Sequence, residues 1–167
     1  YRGAIADYTK AIEINPKDAE SYYNRGVAKR NLEDYRGAIA DYTRAIEINP
    51  QHAKAYYNRG IAKGYLEDYR GEIADYSRAI EINPKDAESY YNRGIAKGYL
   101  EDYRGEIADY TKAIEINPKD ADAYYNRGIA KGNLEDYRGA IADYTRAIEI
   151  NPQYADAYNN RGIAKGY

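Results

Sequence analysis

Cysteine is absent from this 167-residue sequence, and histidine occurs only once, at His52. The lack of cysteine excludes disulfide bonds and thiolate chemistry, although it does not identify a redox compartment. One histidine cannot form a multi-histidine metal site within a single chain, and the scattered serines Ser21, Ser77 and Ser89 do not assemble a nucleophilic triad with it. We therefore expect no enzymatic activity, no metal and no cofactor.

Long apolar runs and a strong net charge are also lacking. No stretch approaches the roughly 20 apolar residues needed to span a bilayer, and the formal net charge is only −2. Such a chain has no global positive field to hold nucleic acid or anionic lipid. We expect it to bind neither, and the cytoplasm is the expected compartment. Because methionine is absent as well, the chain is expected to be a segment of a longer protein.

What the sequence does contain is one unit of 34 residues, marked by an Asn-Pro pair and repeated along the whole chain. A fixed period of this length indicates stacked repeats, each of which buries its apolar face against its neighbours. The pairs begin at Asn15, Asn49, Asn83, Asn117 and Asn151. We predict one array that consists of a half repeat over 1–18, full repeats over 19–52, 53–86, 87–120 and 121–154, and a half repeat over 155–167.

Each unit is predicted to form two helices of about 14 residues joined by a short turn. In the unit 19–52, Asp18 and Asp34 precede the two helices and are natural N-caps. Asn49 is expected to take the left-handed conformation after the second helix, and the following proline ends that helix. The apolar stripe that defines the second helix contains Ala38, Ile39, Tyr42, Ala45 and Ile46.

These positions resemble the tetratricopeptide repeat family, whose unit follows the pattern W-x2-L-G-x2-Y, then A-x3-F, then P. Tyr22 takes the place of the Trp, Gly26 that of the Gly, Ala38 and Tyr42 those of the Ala and Phe, and Pro50 that of the Pro. The resemblance implies an all-α, right-handed α-solenoid of antiparallel helix-turn-helix repeats. It also implies a protein-protein interaction scaffold whose first helices line a concave groove for peptides.

The sequence departs from the family pattern by placing charged residues where Leu and Tyr are usual. An Arg in a helix pair is costly to bury unless a carboxylate meets it. We therefore predict that the Arg column pairs with an Asp column on the second helices; the alternative is that the Arg side chains extend to solvent without a fixed partner. The Arg column is Arg25, Arg59, Arg93, Arg127 and Arg161, and the Asp column is Asp7, Asp41, Asp75, Asp109 and Asp143; Lys29, Lys63, Lys97, Lys131 and Lys165 take the Tyr position.

A column of tyrosines beside a column of asparagines is the candidate binding surface. Tyrosines supply anchoring area, and each Asn amide can pair with a peptide backbone. The alternative is that Asn bonds to a neighbouring helix and Tyr fills gaps between repeats. Acidic residues on the same face oppose RNA, and only Lys54 suits a clamp for a peptide carboxylate. The candidate peptide-binding residues are Tyr23, Asn24, Lys54, Tyr57, Asn58, Tyr65, Tyr91, Asn92, Tyr99, Tyr125 and Asn126.

Two central units share a further pattern, since Tyr65 and Tyr99 occur only where Glu72 and Glu106 replace the usual Ala. We predict a hydrogen bond from each phenol to the carboxylate of its own hairpin. Units 53–86 and 87–120 are otherwise nearly identical, which indicates recent duplication or design. Because neither end carries a distinct polar capping helix, the alternative function is a self-stacking array that forms head-to-tail superhelical assemblies.

Overall fold

The computed structural model describes residues 1–167 and contains ten α-helices and no strand. The helices form antiparallel pairs joined by short turns, which confirms the predicted all-α helix-turn-helix class. In chain order they are α1 Arg2–Ile14, α2 Ala19–Arg30, α3 Tyr35–Ile48, α4 Ala53–Gly64, α5 Tyr69–Ile82, α6 Ala87–Tyr99, α7 Tyr103–Ile116, α8 Ala121–Asn133, α9 Tyr137–Ile150 and α10 Ala155–Ala164.

The chain divides into two compact units, Tyr1–Pro84 with α1 to α5 and Lys85–Tyr167 with α6 to α10. We call them the N-terminal unit and the C-terminal unit. The even-numbered helices, which begin each repeat, are called first helices below, and the odd-numbered ones second helices. None of the ten helices is both long enough and apolar enough to cross a bilayer.

The predicted N-caps are confirmed at both kinds of helix start. The Asp18 side chain accepts a hydrogen bond from the backbone N–H of Glu20, and Asp34 accepts one from the backbone N–H of Gly37 at 2.9 Å. Asp68, Asp102 and Asp136 repeat the second arrangement. Each cap satisfies an N–H that has no partner within its own helix, so the sequence fixes where the second helices begin.

The left-handed conformation predicted at Asn49 is wrong. Asn49 has φ −127° and ψ 91°, because a residue before proline is pushed towards extended backbone. The left-handed residues are instead Glu33, Glu67, Glu101 and Glu135, with φ between 59° and 62°. In the first of these turns Asp34 N–H donates to Lys29 O and Glu33 N–H donates to Arg30 O, which is a Schellman motif with Glu where Gly is usual.

The core of each hairpin is built on a tyrosine of the second helix that lies flat against a glycine of the first. Tyr42 is fully buried, and a Cβ added at Gly26 would lie 2.7 Å from its ring. Because no real Cβ contact is this short, only glycine allows the two helices to approach so closely. Tyr42 also packs with Ala38 and with Ala62 of the following first helix. Tyr144, Ala140 and Ala164 form the same cluster in the C-terminal unit.

Candidate functional site

Four of the five residues in each of the Arg and Asp columns pair as predicted, and the pairing is internal; Arg161 instead donates to Thr145, and Asp7 has no Arg partner. The Arg25 guanidinium donates from Nε to Asp41 Oδ2 at 2.9 Å and from Nη2 to Asp41 Oδ1 at 2.7 Å. Asp41 is only 4% exposed. The bidentate contact satisfies both charges, so the Arg column stabilises each hairpin and is not presented to a ligand. The equivalent pairs are Arg59 with Asp75, Arg93 with Asp109, and Arg127 with Asp143.

The Lys column, for which the sequence suggested no partner, converges on the same carboxylates. Lys29 Nζ lies 2.8 Å from Asp41 Oδ2, so one buried Asp holds two cations. The Arg25 guanidinium also lies over the Tyr22 ring, 5.6 Å from its centroid. Where the family pattern has Leu and Tyr, this chain has Arg and Lys, and both cations bind the same carboxylate. The same Lys contact recurs at Lys63, Lys97 and Lys131.

The Asn column reaches back to the tyrosine column of the preceding repeat. Asn126 Nδ2 donates to the Tyr91 hydroxyl at 2.8 Å, and Asn160 Nδ2 donates to the Tyr125 hydroxyl at 3.0 Å. The Tyr91 ring packs in turn against Tyr110, with centroids 5.5 Å apart. The Asn amides therefore bridge consecutive first helices, which matches the alternative considered for them. They fix the orientation of the tyrosine rings.

Asn58 makes three such internal hydrogen bonds. Its Nδ2 donates to the Tyr23 hydroxyl at 3.2 Å and to Lys54 O at 2.8 Å, while its Oδ1 accepts from Arg30 Nη1. The side chain is buried. Asn126 differs, because Gly98 stands where the first repeat has Arg30, and its Oδ1 accepts no hydrogen bond. Asn126 can therefore offer its carbonyl oxygen to a peptide, whereas the carbonyl oxygen of the buried Asn58 already accepts from Arg30.

The hydrogen bond predicted between Tyr65 and Glu72 is wrong. Tyr65 is 65% exposed and stacks on Tyr35, with centroids 4.5 Å apart and planes 8° from parallel. The carboxyl of Glu72 is instead hydrogen-bonded to Tyr76, one helical turn further along α5. Glu106 makes the equivalent hydrogen bond to Tyr110. Because Tyr65 directly follows α4 and its ring stacks on Tyr35 at the start of α3, it does not face the carboxylate.

The residue that accommodates each of these carboxylates is a glycine. A Cβ at position 64 would lie 2.7 Å from Glu72 Oε2, and one at position 98 would lie 3.0 Å from the Glu106 carboxylate. In the first repeat Ala38 replaces the glutamate, and the buried Tyr42 hydroxyl has no protein hydrogen-bond partner. The Gly, Glu and Tyr thus form one packing unit. The sequence alone does not reveal this unit, because in the fourth full repeat Gly132 occurs with Ala140 and not with a glutamate.

An open cavity of about 400 Å³ lies in the C-terminal unit above Glu106. Burial raises the pKa of Glu106 to about 7; the hydrogen bond from Tyr110 opposes this rise, and the charge of Asp102 adds to it. Two of the predicted site residues, Tyr99 and Asn126, line the cavity. Glu106, Tyr103 and Tyr110 were not predicted as site residues. The complete lining is Ile95, Gly98, Tyr99, Tyr103, Glu106, Tyr110, Asn126 and Asn133.

The next repeat carries a matching cavity of about 340 Å³ without the carboxylate. Ala140 occupies the place of Glu106, and Gly132 that of Gly98. Tyr137 and Tyr167 stack beside it, with centroids 4.6 Å apart. The two cavities therefore differ mainly in one charged group, since their other walls are tyrosine, isoleucine, glycine and asparagine, with Ala164 in addition in the second.

The remaining predicted site residues are distributed over both units. Tyr23 is half-buried against Tyr42, with ring centroids 5.9 Å apart. Tyr57 packs on Tyr76 at 5.5 Å. Lys54 is exposed and makes no ion pair. Asn24 and Asn92 are half-buried on the first helices, as is Tyr125, which packs on Tyr144 at 5.8 Å. No group of three or more His, Asp or Glu side chains is arranged to hold a metal ion.

Repeated antiparallel helix pairs, each with a glycine on the first helix against a tyrosine on the second, define a helical-repeat protein. The sequence matches two descriptions of one family, "Tetratricopeptide repeat" over residues 19–52 and 121–154, and "TPR repeat" over 1–32, 66–98 and 100–134. The chain belongs to the tetratricopeptide repeat family. No curated protein sequence matches it significantly.

Solved structures of this family superpose well on the chain. YrrB, described as a TPR protein with an unusual peptide-binding site, is 27% identical with a TM-score of 0.86, and the match covers 96% of this chain and 82% of YrrB. MamA is 25% identical with a TM-score of 0.88, covering 93% and 91%. The first TPR of Spaghetti (RPAP3), solved with the HSP90 peptide SRMEEVD, is 24% identical with a TM-score of 0.67, covering 70% and 92%; this likeness concerns the fold alone.

Proposed function

We propose that this chain is a non-enzymatic scaffold that binds a peptide or protein segment on its first helices. The observation that carries the proposal is the open cavity of about 400 Å³ beside Tyr99, whose side chain is 64% exposed. Exposed aromatic side chains next to a pocket are typical anchors in protein interfaces. The likeness to YrrB, which is described as having a peptide-binding site, supports the same function.

In this proposal the tyrosines provide most of the contact area. Their rings are held by packing and by the Asn amides, so little conformational entropy is lost on binding. Asn126 additionally offers its carbonyl oxygen to a peptide N–H, and Asn58 serves to position Tyr23. Lys54 and the amides of Asn24 and Asn92 supply polar contacts at the edges. The proposed contact tyrosines are Tyr23, Tyr57, Tyr65, Tyr91, Tyr99 and Tyr125.

Selection from a displayed random-peptide library on the immobilised chain tests the proposal. We expect enrichment of defined peptides over a blank surface. Tyr99→Ala should weaken their binding tenfold or more, as expected for a hot spot of about 2 kcal/mol. Tyr1→Ala is the control, because Tyr1 is equally exposed, at 67%, but precedes a second helix. Failure to enrich any peptide, or equal losses in the two variants, would contradict the proposal.

Self-association is the second candidate, and exposed apolar side chains on α1 and α10 favour it. Ile14 on α1 is 77% exposed, and Ile163 on α10 is 56% exposed. Such residues are able to stack on another copy of the chain. Light scattering separates the two candidates, because a mass that grows with protein concentration supports stacking and a constant monomer mass supports the peptide binder.

A further inference from the structure

The cavity in the C-terminal unit has a carboxylate at its floor and no cation in its lining. We propose that it takes the side chain of a lysine or arginine, with the Glu106 carboxylate as counter-ion and tyrosine rings as walls. The inference deepens the proposed function. It rests on that function in one respect only, namely that the cation belongs to a bound peptide. It predicts a preference for basic residues.

Glu106 is buried, at 8% exposure, and it lines the cavity. Position 98 carries no side chain, and an alanine there would place its Cβ 3.0 Å from the Glu106 carboxylate. A carboxylate can accept about four hydrogen bonds, and the Tyr110 hydroxyl supplies one. The carboxylate thus packs directly on the Gly98 backbone, and its other acceptor positions are available to an ammonium or a guanidinium group that enters the cavity.

The surrounding charges leave the site without an internal counter-ion. Arg104, two residues before Glu106 on α7, is exposed and does not line the cavity. Lys97 on α6 and Lys131 on α8 are bound to Asp109 and Asp143 at 2.8 and 2.7 Å. From the turn before α7, Asp102 adds negative charge. The residues that face Glu106 from α8, Asn126 and Asn133, are neutral, as are the phenols of Tyr99, Tyr103 and Tyr110. Aromatic faces attract cations, which adds to the attraction of the carboxylate.

Ionisation of Glu106 gives the site a defined pH dependence. The pKa of about 7 means that the carboxyl is largely protonated in mildly acidic solution. A bound cation favours the ionised form and lowers the pKa, so binding below pH 7 must release a proton. Affinity for the cation should therefore fall by up to tenfold for each pH unit below 7 and level off above it.

Other repeats of the chain provide internal comparisons. In the N-terminal unit, Glu72 has the same immediate neighbours, Gly64 and Tyr76, and burial raises its pKa to about 7 as well. Ala140 replaces the glutamate beside Gly132, so that cavity should not distinguish a cation from a neutral side chain. The first repeat has Arg30 where the other repeats have glycine, and its Nη1 donates to Asn58 Oδ1. In the first repeat, a cation of the chain itself therefore already occupies the position that corresponds to Gly98.

A titration followed by carbon-13 NMR tests the inference without any peptide. The probe is Nα-acetyl-lysine N-methylamide, and its control is the norleucine analogue, at matched ionic strength. The carboxyl carbon of Glu106 is assigned by its loss in Glu106→Gln, in a Glu72→Gln background. We expect the lysine probe to lower the pKa of Glu106 by roughly one pH unit and the norleucine probe to leave it unchanged. Equal responses to the two probes would overturn the inference.

Two variants of α6 and α8 then locate the binding. Gly98→Ala should abolish the response, because its added Cβ would lie 3.0 Å from the Glu106 carboxylate and displace it. Gly132→Ala should preserve it, because nothing lies within 4 Å of its added Cβ. A response that survives Gly98→Ala would place the cation elsewhere and overturn the site. If no peptide is captured but the lysine response is normal, the peptide function is wrong and the cation site stands. If peptides are captured without enrichment of Lys or Arg, the peptide function stands and the cation site is wrong.

Discussion

Arg25 and Asp41 form a bidentate ion pair, with N–O distances of 2.9 and 2.7 Å, and Lys29 binds the same carboxylate at 2.8 Å. One buried acid is thus shared by two basic residues of the preceding helix. The arrangement replaces part of the usual apolar contact between the helices of a hairpin. Its value depends on all three charges being present, because a buried ion without its partner is strongly destabilising.

The first prediction concerns this network in the C-terminal unit. Asp109→Asn leaves Arg93 and Lys97 without their carboxylate, so the free energy of unfolding should fall by about 3–5 kcal/mol. Glu115→Gln is the matched control on the same helix, because its ion pair with Lys112 is exposed and screened by solvent. Urea unfolding measures both. A loss below 1 kcal/mol for Asp109→Asn would show that the network does not hold the hairpin.

The second prediction concerns the tight contact of glycine with tyrosine. Gly128→Ala places a Cβ 2.6 Å from the Tyr144 ring and should destabilise the protein by about 1–3 kcal/mol through overpacking. Gly132→Ala, one turn further along α8, meets no atom within 4 Å and should stabilise it by about 0.4–1 kcal/mol. Opposite signs in thermal or urea unfolding are expected. Two substitutions of the same sign would contradict the packing described.

The third prediction uses the left-handed glutamates. Glu101 has φ 59°, a conformation that costs a residue with a Cβ roughly 1–2 kcal/mol. Glu101→Gly removes that strain but increases the entropy of the unfolded chain, so we expect a net stabilisation of up to about 1 kcal/mol. Ala108→Gly, at an exposed position in the middle of α7, should instead destabilise by about 1 kcal/mol. Destabilisation by Glu101→Gly would mean that the turn gains nothing from glycine.

The fourth prediction is a loss of stability as the pH rises. Burial raises the pKa values of Glu72 and Glu106 from 4.5 to about 7 in the folded state. A raised folded-state pKa gives stability that is complete below pH 4.5 and lost as the pH approaches 7. The loss should be on the order of 1 kcal/mol or more for each carboxyl. In Glu106→Gln, urea unfolding between pH 4.5 and 7.5 should show about half of this decline.

An unchanged pH profile in that variant would show that Glu106 titrates normally. The control is Glu115→Gln, whose exposed side chain should leave the profile as it is in the unmodified chain.

Sequence patterns were sufficient for the helices, the N-caps and four Arg–Asp pairs, because each follows from local spacing and from charge complementarity. Asp34 caps its helix whatever surrounds it, and Arg25 has few carboxylates within reach. Partner choice within a packed layer was harder to predict. Tyr65 and Tyr76 are both compatible with Glu72 by spacing, and only the direction of the Tyr65 ring decides between them.

The candidate site was predicted in part for the same reason. The Tyr and Asn columns lie on the first helices as expected, but their mutual hydrogen bonds depend on the distance between consecutive repeats, which periodicity does not give. The role of Gly98 in leaving room for Glu106 was missed, because Gly132 shows the same residue without the acid. A cavity is the space that packed side chains leave empty, so residue spacing alone does not predict it.

Hydrogen exchange of the chain with a captured peptide tests the central claim most directly. Binding on the first helices should slow amide exchange at the C-terminal ends of α6 and α8, around Tyr99 and Asn133, more than at the solvent-facing turns of α7 and α9. Protection confined to the second helices, or to α1 and α10, would contradict a peptide site on the first helices.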